Sequence, residues 1–216
     1  MFGKDIVLSD RLFTVLEQSG RRRKFAVEKK PFVTKEQLEE ITKTYPTPFH
    51  LYDEKGIREN ARQLKEAFSW NKGYKEYFAV KATPNPFILN ILKEYGCGTD
   101  CSSMTELMMS KACGFSGNDI MFSSNDTPLE EFAYAAKLGA IINLDDITHI
   151  ECVEQTLGYI PETISCRFNP GGVFKISNDI MDNPGDSKYG MTTEQIFEAF
   201  KILKAKGAKN FGIHAF

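Results

Sequence analysis

An α/β fold built on a parallel sheet is predicted by three features of this sequence. Short apolar runs recur at residues 77–80, 120–122, 140–144 and 163–168. Each run precedes a stretch whose apolar residues fall at helical spacing, the alternation that gives parallel sheets covered by helices. Polar residues stand where the strands would end: Lys81, Asp100, Ser123 and Ser124, Asp145, Arg167 and His214. Two closures suit this pattern, an open doubly wound sheet and a (β/α)8 TIM-type barrel. No G-x-G-x-x-G follows the first strand, so the dinucleotide-binding sheet loses its main support. Barrels carry their chemistry on the C-terminal rim, and the barrel is therefore the expected form. The same polar residue types also cap helices for structural reasons alone.

Taken in chain order, residues 34–44 read as a short helix that stops before Pro46, and 49–52 read as a strand. Asp53 then suits the N-cap of a helix through Ile57, Ala61, Leu64 and Phe68. Beyond the strand at 77–80, Gly98-Thr99-Asp100 forms a weaker strand before a helix containing Leu107, Met108 and Ala112. A final strand begins near Phe211. The expected organisation is a lead-in over 1–47, a strand and helix over 48–72, and a (β/α) barrel portion over 73–216.

With 216 residues, 42% hydrophobic and 12% aromatic, the chain has apolar surface for one substantial core. Lys+Arg 27 against Asp+Glu 29 leaves a net charge of −2, so no global field favours nucleic acid or an anionic membrane. The run Arg21-Arg22-Arg23-Lys24 is taken as a solvated surface stretch. Charges within the first dozen residues interrupt any signal-like or membrane-spanning segment, and a cytoplasmic location is expected. Cys97, Cys101, Cys113, Cys152 and Cys166 form no C-x-x-C pair and the three histidines are dispersed, so neither a disulfide scaffold nor a metal site is expected. The cysteines read as small buried hydrophobes, and His50 and His149 as structural residues.

The residues at the strand ends carry a more specific pattern. Phe78-Ala79-Val80-Lys81-Ala82 is followed by Asp100-Cys101-Ser102-Ser103-Met104-Thr105-Glu106-Leu107, then Ser123-Ser124-Asn125-Asp126-Thr127-Pro128, Asn143-Leu144-Asp145 and Arg167-Phe168-Asn169-Pro170-Gly171. Ser187-Lys188-Tyr189-Gly190 comes next, like an S-K-[FY]-G loop. This ordered set, over roughly residues 48 to 216, resembles the fold-type III pyridoxal phosphate decarboxylases. These include diaminopimelate, ornithine and arginine decarboxylases and, more distantly, alanine racemase. Diaminopimelate decarboxylase is the best match within the group, through the R-x-N-P-G segment and the S-K-Y-G loop.

The resemblance implies an alanine racemase-like barrel that uses pyridoxal 5'-phosphate, with Lys81 as the Schiff-base lysine. A lysine condenses with an aldehyde only when unprotonated, and burial at the barrel mouth is expected to favour that form. Asp100 is implied beside the cofactor, although an aspartate there also suits a helix cap. Glu106 stands a turn into the helix, where an acid equally favours the helix dipole. Arg167, on an apolar strand, needs acceptors, which Asp100 or cofactor oxygens would supply. His214 matches the first polar position of the family's sixth-strand motif G-[LIV]-[HS]-x-H-x-G-S, and Lys188 matches a position that meets the partner subunit.

Two departures accompany the match. Phe216 stands where the family has a ring-stacking histidine; a phenyl face can stack but cannot exchange a proton. The family also continues through two more barrel strands and a β domain, which hold its phosphate-binding glycines and the glutamate that pairs with the ring nitrogen. The expectation is thus about six of eight barrel strands, with unpaired edges that something must cover. In function the resemblance implies decarboxylation of meso-diaminopimelate to L-lysine by a homodimer, this chain being the N-terminal part and expected to be inactive by itself. The alternatives are another basic amino-acid or polyamine-precursor decarboxylase, or a non-catalytic pyridoxal phosphate-binding barrel.

Overall fold

The computed structural model describes residues 30–172, 185 and 187–215; the Arg21–Lys24 run and Phe216 lie outside the described residues. The chain divides into two compact units between Asp53 and Glu54. In the first, helix α1 (Lys35–Thr44) starts with a capping box in which Thr34 Oγ1 accepts from Gln37 N and Gln37 Oε1 accepts from Thr34 N. Residues 49–52 form no strand; they are irregular, with His50 and Tyr52 stacked at 6.2 Å. The strand expected there is corrected on physical grounds, since a β-favouring run becomes a strand only where another strand takes its backbone hydrogen bonds.

The second unit follows the expected alternation. After α2 (Glu54–Ala67) come β1 (Tyr77–Ala79), α3 (Pro86–Glu94), β2 (Gly98–Cys101), α4 (Met104–Ala112), β3 (Ile120–Phe122) and α5 (Leu129–Lys137). Then follow β4 (Ile141–Leu144), α6 (His149–Leu157), β5 (Thr163–Phe168), α7 (Thr193–Ala205) and β6 (Asn210–Ala215). The strands form one six-stranded parallel sheet in the order β1-β2-β3-β4-β5-β6, each hydrogen-bonded to its sequence neighbour. A sheet wound in one direction with a helix after each strand is a partial (β/α) barrel.

Strand residues alternate between two environments. Phe78, Cys101, Ile120, Phe122, Ile142, Leu144, Ile164 and Cys166 are buried with Leu89, Leu107, Phe132, Ala135, Val153, Ala199 and Leu203 of the helices, and this layer is the core. On β6 the equivalent residues Phe211 and Ile213 are exposed, with Phe200 of α7 edge-on to Phe211 at 5.3 Å. The alternate residues, among them Tyr77, Asp100, Met121, Ser123, Ser165 and His214, line a cavity of about 410 Å³. Cys101 and Cys166 are fully buried as expected, whereas Cys97, Cys113 and Cys152 are half-buried. Among the described residues, no helix is long and apolar enough to cross a membrane.

Candidate functional site

The strand ends bring the polar residues singled out from the sequence to one rim. Lys81 occupies the middle of a 3-10 turn, Val80–Ala82, that follows β1 directly. It is exposed and has no hydrogen bond or ion pair with a described residue. The burial expected for it is therefore not found, because β1 ends at Ala79 and the tight turn lifts Lys81 to the rim where water reaches it.

Asp100, on β2, accepts a 2.5 Å hydrogen bond from Ser123 Oγ just past β3. Burial pushes its carboxyl above the ordinary range; the Ser123 hydrogen bond and the charges of Lys81 and Arg167 oppose that rise, and Glu106 adds to it. Glu106 is committed to the start of α4. Its oxygens accept from Ser102 N, Ser102 Oγ and Ser103 Oγ, each at 3.0 Å.

Arg167 Nη1 donates to Asp145 Oδ1 at 2.5 Å, with the two side chains only 11% and 6% exposed. Among the described residues, the acid that Arg167 meets in an ion pair is Asp145 and not Asp100. Strand order explains the difference: Asp145 follows β4, the hydrogen-bonded neighbour of β5, whereas β3 and β4 separate β2 from β5. Tyr189 lies over the guanidinium at 5.9 Å. The loop carrying Tyr189 is tied to the end of β5, since Asn169 Nδ2 donates to the carbonyls of Tyr189 (2.9 Å) and Ser187 (3.4 Å). Gly190 has φ +86°, and a Cβ there would stand 3.1 Å from Arg167 Cγ, so only glycine lets the loop close onto the arginine. Lys188 is exposed on that loop and does not join the rim cluster.

His214 pairs in register with Arg167, and its Nδ1 is buried without a hydrogen-bond partner among the described residues. Burial first, and then the Arg167 charge, lowers its pKa; burial likewise lowers that of His149 beneath α5. Both pKa values fall below the ordinary 6.5, so the unfolded chain binds more protons than the folded one. The stability due to neutral burial is present above pH 6.5 and is lost as pH falls through the folded values. Urea midpoints that decline from pH 7 to pH 5, with a smaller decline in His149→Phe, are the expected result; a flat profile would contradict it.

The sequence placed Asp145 at a strand end and in the Asn143-Leu144-Asp145 segment without pairing it with Arg167, and it did not single out Glu131, whose carboxylate accepts from Met104 N at the start of α4. The position of Asp145, one strand before Arg167, was the available signal; a contact between adjacent helices leaves no comparable trace.

Residues 54–215 match the family model described as the pyridoxal-binding domain of pyridoxal-dependent decarboxylases. The chain belongs to that family. TabA of Pseudomonas amygdali pv. tabaci is 40% identical over 82% of this chain and 41% of its own length. The diaminopimelate decarboxylase of Thermoplasma acidophilum is 29% identical over 82% of this chain and 42% of its own. Among solved structures, diaminopimelate decarboxylase from Helicobacter pylori complexed with L-lysine superposes with TM-score 0.74 at 30% identity, over 82% of this chain and 46% of that one. The chain therefore spans less than half the length of these relatives.

The donor set of the rim fits the family's cofactor. The Lys81 amine stands at the rim where an aldehyde can reach it, and the Arg167 charge lies on the same rim. His214, on the same rim, has a buried Nδ1 with no hydrogen-bond partner among the described residues.

Proposed function

We propose that this chain is the cofactor-holding portion of a pyridoxal phosphate-dependent amino-acid decarboxylase whose substrate is meso-diaminopimelate and whose product is L-lysine. The observation that carries this reading is the exposed Lys81 on a rim that also holds Asp100, the Asp145–Arg167 pair and His214. When bound, pyridoxal phosphate supplies an electron sink for the pair left behind as the carboxylate departs. Lys81 would hold the cofactor through its amine and yield to the incoming substrate amine. Asp100, kept partly desolvated and hydrogen-bonded to Ser123, would set the charge balance beside Lys81. Arg167, held by Asp145 and packed against Tyr189, would keep a positive charge in place at the rim without reorganising.

Glu106 supports the site by shaping the loop after Asp100, and exposed Lys188 is available to a partner subunit. The reading carries with it a homodimer in the cytoplasm, with residues 48–72 linking the barrel portion 73–216 to a β domain and 1–47 as a lead-in. A second reading, a different amino-acid substrate, is favoured by the 40% identity with TabA, above the 29% with the Thermoplasma enzyme.

Reduction with borohydride after incubation with pyridoxal phosphate tests the proposal. Peptide mass spectrometry is expected to place the cofactor on Lys81, and the Lys81→Ala chain to lose the modification. An unmodified Lys81, or equal labelling of the variant, would remove the basis of the reading. Carbon dioxide release by the complete protein from diaminopimelate, and not from ornithine or arginine, would assign the substrate.

A further inference from the structure

The segment that follows Asp100 is held by both backbone and side-chain bonds. Ser123 N donates to Cys101 O at 2.8 Å, while Ser123 Oγ holds Asp100 itself. Ser102 and Ser103 are drawn onto Glu106. The first amides of a helix have no partners of their own and need outside acceptors. Ser103 occupies the N-cap of α4 but makes no capping bond; its hydroxyl donates to Glu106 Oε1. The acceptor for the first residue of α4 comes from the next helix: Met104 N donates to Glu131 Oε1 at 2.9 Å.

Glu131 is only 8% exposed, and its Oε2 is buried with no hydrogen-bond partner among the described residues. A buried carboxylate is costly unless bonded, so the Met104 contact does much to justify its position. Ser123 and Glu131 both belong to the β3–α5 unit, which therefore grips the 100–104 segment at both ends.

We propose that Glu131 is a positioning residue that, by holding Met104 from the neighbouring helix, fixes Asp100 in its half-buried place on the rim. The inference deepens the cofactor-site reading, since Asp100 belongs to that site, but it rests on contacts internal to the chain. Losing the latch frees the segment at its helical end and lets water reach the Asp100 carboxyl. The groups acting on that carboxyl are Ser123, Lys81, Glu106 and Arg167, none of which is altered by a change at Glu131.

The test compares Glu131→Ala, Glu131→Asp and Glu131→Gln without cofactor, by amide hydrogen exchange and by carbon-13 titration of the aspartate carboxyls. Glutamine keeps an oxygen in reach of Met104 N and is expected to retain both the slow exchange at Met104 and the raised Asp100 midpoint. Alanine, and aspartate with its shorter reach, are expected to speed Met104 exchange at least tenfold and to lower the Asp100 midpoint. Should alanine prevent folding, the aspartate and glutamine variants carry the same comparison. Faster exchange at Met104 with an unmoved Asp100 midpoint would reduce Glu131 to a plain helix cap and overturn the proposal. Failure of the cofactor to attach at Lys81 would sink the functional reading and leave these two measurements unaffected.

Discussion

Arg167→Leu is expected to lower the unfolding free energy by about 3–5 kcal/mol, the cost typical of removing one member of a buried ion pair. The change leaves Asp145 almost fully enclosed with its charge uncompensated. Adding Asp145→Leu to the same chain should recover most of that loss, because an apolar pair needs no compensating charge. Urea denaturation of the two single variants and the double variant measures the coupling directly. A loss below about 1 kcal/mol in Arg167→Leu, the range of exposed pairs, would show that Asp145 is hydrated and the rim more open than described. The exposed pair Lys201–Glu198, at 3.4 Å, is the natural comparison and should contribute almost nothing measurable.

Phe132→Ala is the second large effect, with an expected loss of about 3–5 kcal/mol from a cavity that the surrounding core fills only partly. Phe132 is 1% exposed and touches Phe122 and His149 edge-on, with ring centroids at 6.1 and 5.6 Å. It thus joins the sheet, α5 and α6 at one point. Phe197→Ala, on a residue 64% exposed, should stay within about 0.5 kcal/mol of the parent chain. Equal losses for the two would mean that the core is not the layer between sheet and helices. The variant should also weaken the acid sensitivity described above, since the space it opens lets water reach His149.

Most of the fold was legible because each barrel unit repeats a local signal. Residues 120–122 and 163–168 are apolar runs of strand length, and both form strands with the expected bounds. The 34–44 helix was legible too, and Thr34 caps its first turn through its side chain, which is a property of a few adjacent residues. Residues 49–52 carried a comparable apolar signal and failed, because a strand also needs a neighbour and that requirement is not local. The site shows the same division. Lys81, Asp100, Arg167 and His214 were placed at strand ends by periodicity, and there they stand. Which acid would meet Arg167, and how far Lys81 would stand out in water, depended on strand order and on one tight turn. Glu131 was hidden for a further reason: an acid in the first turn of a helix already has an ordinary explanation in the helix dipole.

The sequential order of the sheet also bears on how the molecule is assembled in time. Early pairings join nearby segments, Tyr77 with Gly98, Thr99 with Ile120 and Met121 with Ile141, so each new strand closes a short loop onto structure already formed. Such growth keeps each closing loop short. The β5–β6 pairing spans 47 residues from Thr163 to Asn210, and each doubling of loop length adds only about 0.6 kcal/mol of closure entropy. The delay that this longer loop imposes is therefore modest in energy but falls on a single strand. Within the described sheet, the pairing that sets His214 beside Arg167 is therefore the one with the greatest separation along the chain.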